Sequence, residues 1–110
     1  MKMMKVKFRR LFSNQFDEVV NAINESMKGF TSEECTTEDF SNILFDRLVG
    51  NGISARIISY TVNNQHFYSV QYYRKGKWVN FNYDGLDLFF QPVYHKTLKP
   101  VNIVEEGEGY

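Results

Sequence analysis

The chain has 110 residues, with 13 basic and 13 acidic side chains, so its formal net charge is zero. That length sizes one domain with one modest core, and 43% hydrophobic with 16% aromatic residues excludes a disordered polar chain. Zero net charge removes the general electrostatic argument for nucleic acid, and no stretch approaches the ~20 apolar residues of a membrane span.

Charge is unevenly spread. Lys2, Lys5, Lys7, Arg9 and Arg10 crowd the first ten residues, and Glu105, Glu106 and Glu108 make the far end acidic. Both ends read as solvated surface. Phe8, Leu11 and Phe12 are interrupted by arginines and polar residues, so the basic start lacks the apolar core of a signal peptide. The lone cysteine, Cys35, permits no internal disulfide. Together these features lead to the expectation of a cytoplasmic protein. One cysteine and two histidines without ligand spacing argue against a metal site, and no cofactor is expected.

In chain order, Lys5 to Phe8 alternate lysine with apolar side chains and suit a short edge strand. Asn14 is placed to cap a first helix, whose apolar stripe is Phe16, Val19, Val20, Ile23 and Met27, with Gly29 as its end. A second helix starts near Thr36 or Thr37, with Glu38 and Asp39 against the positive helix end. Phe40, Ile43, Leu44, Leu48 and Val49 form its apolar face, and Asn51 and Gly52 stop it.

The period then changes. Ala55 to Val62 is rich in β-branched residues; Asn63 to Gln65 read as a turn into a strand from His66 to Tyr73. Arg74, Lys75 and Gly76 read as a second turn, leading into Trp78 to Tyr83. A short strand or helix follows around Leu86 to Phe90, broken by Pro92, and Val101 to Val104 add an edge strand before a frayed tail. His95 has no evident partner and reads as a surface histidine. Helices first and strands afterwards give an α+β fold, with N-terminal helices packed on a small antiparallel sheet.

Three side chains carry potential chemistry: a thiol, an imidazole and a polar group to orient the imidazole, supplied by Cys35, His66 and Asn82. Acyl transfer needs the thiolate, which a helix N-terminus favours, and Cys35 stands about where the second helix begins. His66 lies on one strand and Asn82 on the next, so a contact between them is geometrically open.

In order and spacing, these segments resemble the transglutaminase-like superfamily, relatives of papain-like cysteine peptidases. "EDFSNILFDRLVGNGISARII" looks like the nucleophile helix and the strand after it, "HFYSVQYY" like the histidine strand, and "WVNFN" like the strand of the third catalytic residue. The resemblance covers roughly residues 35 to 84 and implies a reduced transglutaminase-like core, with a groove between helix start and sheet. Matching Asp39, Phe40 and Ser41 to the family motif puts its nucleophile on Thr37, two residues after Cys35. Asn82 falls where the family usually has aspartate, with Asp84 two residues later.

The leading expectation is therefore a catalytically degenerate module that binds a protein or peptide partner, as a bacterial or phage-encoded regulator or inhibitor would. Thr37, Asp39, Trp78 and Asp84 are its expected binding residues. The rival is an active thiol peptidase, amidase or acyl transferase using Cys35 as nucleophile, His66 as base and Asn82 or Asp84 as orienter. A third reading takes the basic start and the aromatic strands around Trp78 as a single-stranded nucleic-acid surface; zero net charge weakens it. Arg56 is expected to pair structurally or to lie along the sheet.

Overall fold

A computed structural model describes residues 13–92 and 102–109. The expected strand over Lys5 to Phe8 and the surface histidine His95 lie outside them. Two helices, α1 (Ser13–Ser26) and α2 (Thr37–Gly50), precede four strands: β1 (Ala55–Val62), β2 (Gln65–Arg74), β3 (Lys77–Asn80) and β4 (Asn102–Gly107). The strands form one antiparallel sheet in the order β3-β2-β1-β4, so the fold is α+β as expected.

The α1 stripe behaves as its spacing dictates: Val20, Ile23 and Met27 are buried, and Phe16 and Val19 pack half-buried beside them. Asn14 lies inside this helix rather than before it, because the first turn already includes Ser13. The helix ends at Ser26, before Gly29, and Arg47 of α2 holds that end. Its guanidinium donates to the Ser26 carbonyl and hydroxyl, each at 3.1 Å, a cation meeting the negative end of a helix.

Thr36 is the N-cap of α2: its hydroxyl accepts the Asp39 amide at 3.1 Å, and Glu38 and Asp39 occupy the first turn. Phe40, Leu44, Phe45 and Leu48 are its buried apolar residues, joined by Thr37 and Ser41. Phe45 completes a stripe whose edges, Ile43 and Val49, stay half-buried. Asn51 caps the far end and Gly52 follows at φ +88°, where a side chain would be strained.

Both hairpin turns have two residues rather than three. Asn63 and Asn64 join β1 to β2, and Lys75 and Gly76 join β2 to β3, all four with positive φ, as the twist of paired strands prefers. Pairing is in register from Ala55↔Tyr72 to Val62↔Gln65 and from Gln71↔Asn80 to Arg74↔Lys77. On the other edge β4 pairs with β1 through a bulge at Val104, because Ile57 faces Glu105 while Ile58 faces Ile103. The strand thus runs three residues beyond the expected Val104, into what the sequence presents as a frayed acidic tail.

Directly paired residues share a face. Ala55, Ile57, Val70 and Tyr72 therefore look toward the helices, where they meet Phe40, Leu44 and Leu48 in the core. Beyond β3 the chain folds back over this core through Phe81, Tyr83, Leu86 and a short 3₁₀ helix, Leu88–Phe90. Phe40 stacks on Phe90 with ring centroids 4.1 Å apart, between Phe30 and Tyr83. The opposite, outer face carries Arg56, Gln71, Tyr73, Trp78 and Asn80.

Candidate functional site

The start of α2 lies against the part of β2 that β3 does not reach. Alternation along β2 aims the amides of Tyr68 and Val70 toward that empty lane, since β3 ends at Asn80 and only Phe81 continues the ladder, donating to the Val70 carbonyl at 3.0 Å. Two hydroxyls fill it. Thr37 accepts the Tyr68 amide at 3.3 Å, and Tyr83 accepts the Val70 amide at 3.0 Å. Side chains thus replace a missing strand and dock the helix start onto the sheet.

Thr37, the position matched to the family nucleophile, is 7% exposed and committed to this bond. One turn further along α2, the Ser41 hydroxyl is fully buried with no hydrogen-bond partner. Cys35 sits just outside, half-buried, its amide bonded to the Thr31 carbonyl at 3.1 Å. Burial, and then the carboxylates of Asp39, Glu34 and Asp87, push its thiol above the ordinary value. That is the opposite of what a resting thiolate needs.

Cys35 opens into a recess of about 250 Å³ lined by Ser32, Glu33, Glu34, Thr36, Asp39 and Phe89. Asp87 fixes the wall of this recess. One of its oxygens accepts the Phe89 amide at 3.0 Å and the other the Ser32 amide at 2.9 Å, and these bonds hold its carboxyl below the usual range. Leu88 and Phe89 project beside it, 79% and 48% exposed.

His66 is on the helix-facing side of β2, one same-side position before Tyr68, but at the exposed hairpin end. Its Nδ1 lies 3.4 Å from the Thr61 hydroxyl of the paired strand, and it is not part of the recess lining. Asn82 is elsewhere. The two-residue turn pairs Asn80 with Gln71 on the outer face, so Phe81 turns inward and Asn82 outward, away from the face His66 occupies. Its side chain accepts the Asp84 amide at 2.9 Å in a local turn, and Asn24 of α1 donates to both the Asn82 and Asp84 carbonyls. The structure brings Thr37, Cys35 and Asp39 together; it does not bring Asn82 or Asp84 to His66.

Trp78 lies on the outer face, away from the recess, with the Arg56 guanidinium 4.3 Å from its ring centroid. Phe89, Asp87 and Glu34 carry the recess but belong to no motif. The one local signal is Asp87 two residues before Phe89, a helix-capping pattern. Among the described residues no group of three or more His, Cys, Asp or Glu side chains is placed to hold a metal, and no helix is long and apolar enough to cross a membrane. Comparison with protein-family models, with curated proteins and with solved structures finds no match.

Proposed function

We propose that the chain is a binding module built on a reduced transglutaminase-like core that has lost its nucleophile, and that it holds a protein or peptide partner at the recess beside the start of α2. The bond from Tyr68 to Thr37 carries this reading. At the motif position of the nucleophile stands a buried hydroxyl spent on the backbone of the histidine strand, with His66 one same-side residue away. The resemblance implies a groove between helix start and sheet; here Thr37 bonds the histidine strand directly across that junction, and a threonine there, with no base bonded to it among the described residues, is a weak nucleophile.

The thiol alternative is less favoured by the surroundings of Cys35. Carboxylates disfavour its thiolate, and among the described residues no imidazole lines its recess. The same carboxylates suit a basic segment, and Phe89 and Leu88 offer it an apolar rest. Such a module would act by occupying its partner, as a regulator or inhibitor does.

Peptides selected from a random display library provide the test, measured by fluorescence anisotropy against wild type, Cys35→Ala, and the double variant Glu34→Lys with Asp39→Lys. The expected result is basic peptides that bind wild type and Cys35→Ala alike, fail with the charge-reversed variant, and are recovered intact by mass spectrometry. Cleavage or acyl transfer dependent on Cys35 would establish the thiol enzyme instead.

A further inference from the structure

A second cavity lies on the other side of the sheet and at the opposite end of α2. It has a volume of about 550 Å³ and is lined by Ser54, Tyr73, Trp78, Glu106, Glu108 and the two glycines of the acidic tail. We propose that this cavity is a second binding site, for an organic cation: a guanidinium or alkylammonium group held between the Tyr73 and Trp78 rings and the Glu106 and Glu108 carboxylates. It is independent of the recess at the start of α2.

Three observations support it. The first is the aromatic wall. Tyr73 meets Trp78 edge-on with centroids 5.2 Å apart and is 45% exposed, so the Tyr73 ring is presented to the cavity beside a Trp78 ring that already carries the Arg56 guanidinium. Such rings attract cations through their quadrupole, more strongly where water is partly excluded.

The second is the unspent charge. Arg56 is the cross-strand partner of Glu106, which is the usual place for an ion pair. Its guanidinium goes elsewhere: Nε donates to the Gln71 side chain at 2.8 Å, and the group stacks on Trp78. Gln71 in turn donates to Asn80 at 2.9 Å, which fixes the arrangement across three strands. Among the described residues neither Glu106 nor Glu108 has a salt bridge, so two carboxylates face the cavity against no cation of its lining.

The third is rigidity of the acidic wall. The Gly109 amide donates to the Ser54 hydroxyl at 3.0 Å. A Cβ on Gly109 would stand 2.2 Å from the Gly52 backbone, and one on Gly107 would stand 2.8 Å from the Phe45 ring. The tail is thus seated where only glycine fits, which holds the backbone of Glu106 and Glu108 beside the aromatic rings and lowers the ordering cost at binding.

Trp78 is the only tryptophan in the chain, so its emission reports this site alone. The probes are tetramethylammonium, the N-acetyl amides of arginine, lysine and norleucine, and short peptides containing arginine or norleucine at one position. Saturable emission changes are expected with the cations and not with the norleucine controls at matched ionic strength. Glu106→Gln with Glu108→Gln, and separately Tyr73→Leu, are expected to weaken binding about tenfold each while leaving the melting temperature nearly unchanged, since these side chains lie at the surface. Tight binding by the arginine peptide with weak binding by its free amide would assign a polypeptide source; equal affinities would assign a small cation. No saturable change with any cation, equal response to norleucine, or affinity untouched by the Gln pair overturns the proposal.

Discussion

The Thr37 hydroxyl accepts the Tyr68 amide at 3.3 Å, and through that bond the first residue of α2 stands in for a strand that ends three residues too early to pair with Tyr68. Removing the hydroxyl while keeping the volume, Thr37→Val, leaves that amide without its acceptor. Thr37→Val is expected to cost ~1–3 kcal/mol in denaturant unfolding, Thr37→Ser much less. Tyr83→Phe strands the Val70 amide in the same way and belongs to the same range. Hydrogen exchange gives the sharper readout: the Tyr68 amide should lose protection in Thr37→Val, and the Val70 amide in Tyr83→Phe. Unchanged protection at those amides would show that the hydroxyls do not complete the ladder.

The thiol of Cys35 is raised by burial and by Asp39, Glu34 and Asp87, so its alkylation should follow the same direction. A plot of iodoacetamide rate against pH is expected to reach its midpoint above the free-cysteine value of about 8.5, and Asp39→Asn should move that midpoint down. A plateau well below that value would mean an activated thiolate and would reinstate the enzyme.

How far these features were legible beforehand depends on what each required. Both helices, the bounds of β1, the cap near Thr36 and the α+β order follow from local periodicity and capping chemistry, which a single chain displays directly. The partnership of His66 with Asn82 required more: the phase of one strand against the next. Reading Arg74, Lys75 and Gly76 as a three-residue turn aligns Trp78, Asn80 and Asn82 with the face of His66; the actual turn, Lys75 and Gly76, reverses it. One residue in a turn exchanges every side chain between faces, and Lys75 at positive φ gives no compositional warning. The recess and the outer cavity were less legible still, because Phe89 meets Cys35, and Glu106 meets Trp78, only through tertiary packing.

Asp87 ties the 3₁₀ helix to the loop before α2, and its two backbone bonds are stronger with the carboxylate than with the protonated acid. Its pKa is lowered on folding, so its contribution is full above the unfolded value of about 3.9 and fades as pH falls through the folded one. Exchange of the Ser32 and Phe89 amides should therefore accelerate, after correction for intrinsic rates, as pH drops below about 4. Asp87→Ala should show that loosened exchange at neutral pH and lose its pH dependence. Protection independent of both pH and Asp87 would mean that packing of Phe90, rather than the carboxylate, holds this turn.

At the alkaline end three tyrosines act together. Burial raises Tyr60 to about 12, raises Tyr72, and raises Tyr83 further still despite its bond from the Val70 amide. A folded pKa above the unfolded value near 10 means that the native state keeps protons that the unfolded chain has released. Stability is accordingly full below pH 10 and falls as pH rises toward and past 12, by about 1.4 kcal/mol per pH unit for each such tyrosine while it lies between its two values. Phenolate absorbance near 295 nm and far-ultraviolet dichroism, followed in one alkaline titration, check this. The exposed tyrosines should ionise first, and the remaining absorbance should appear only together with loss of the sheet signal. Tyr60→Phe and Tyr83→Phe should each flatten the fall in stability above pH 10, although Tyr83→Phe begins from a lower value because it also gives up the Val70 bond. Full ionisation of every tyrosine before the dichroism changes would place these phenols in contact with water.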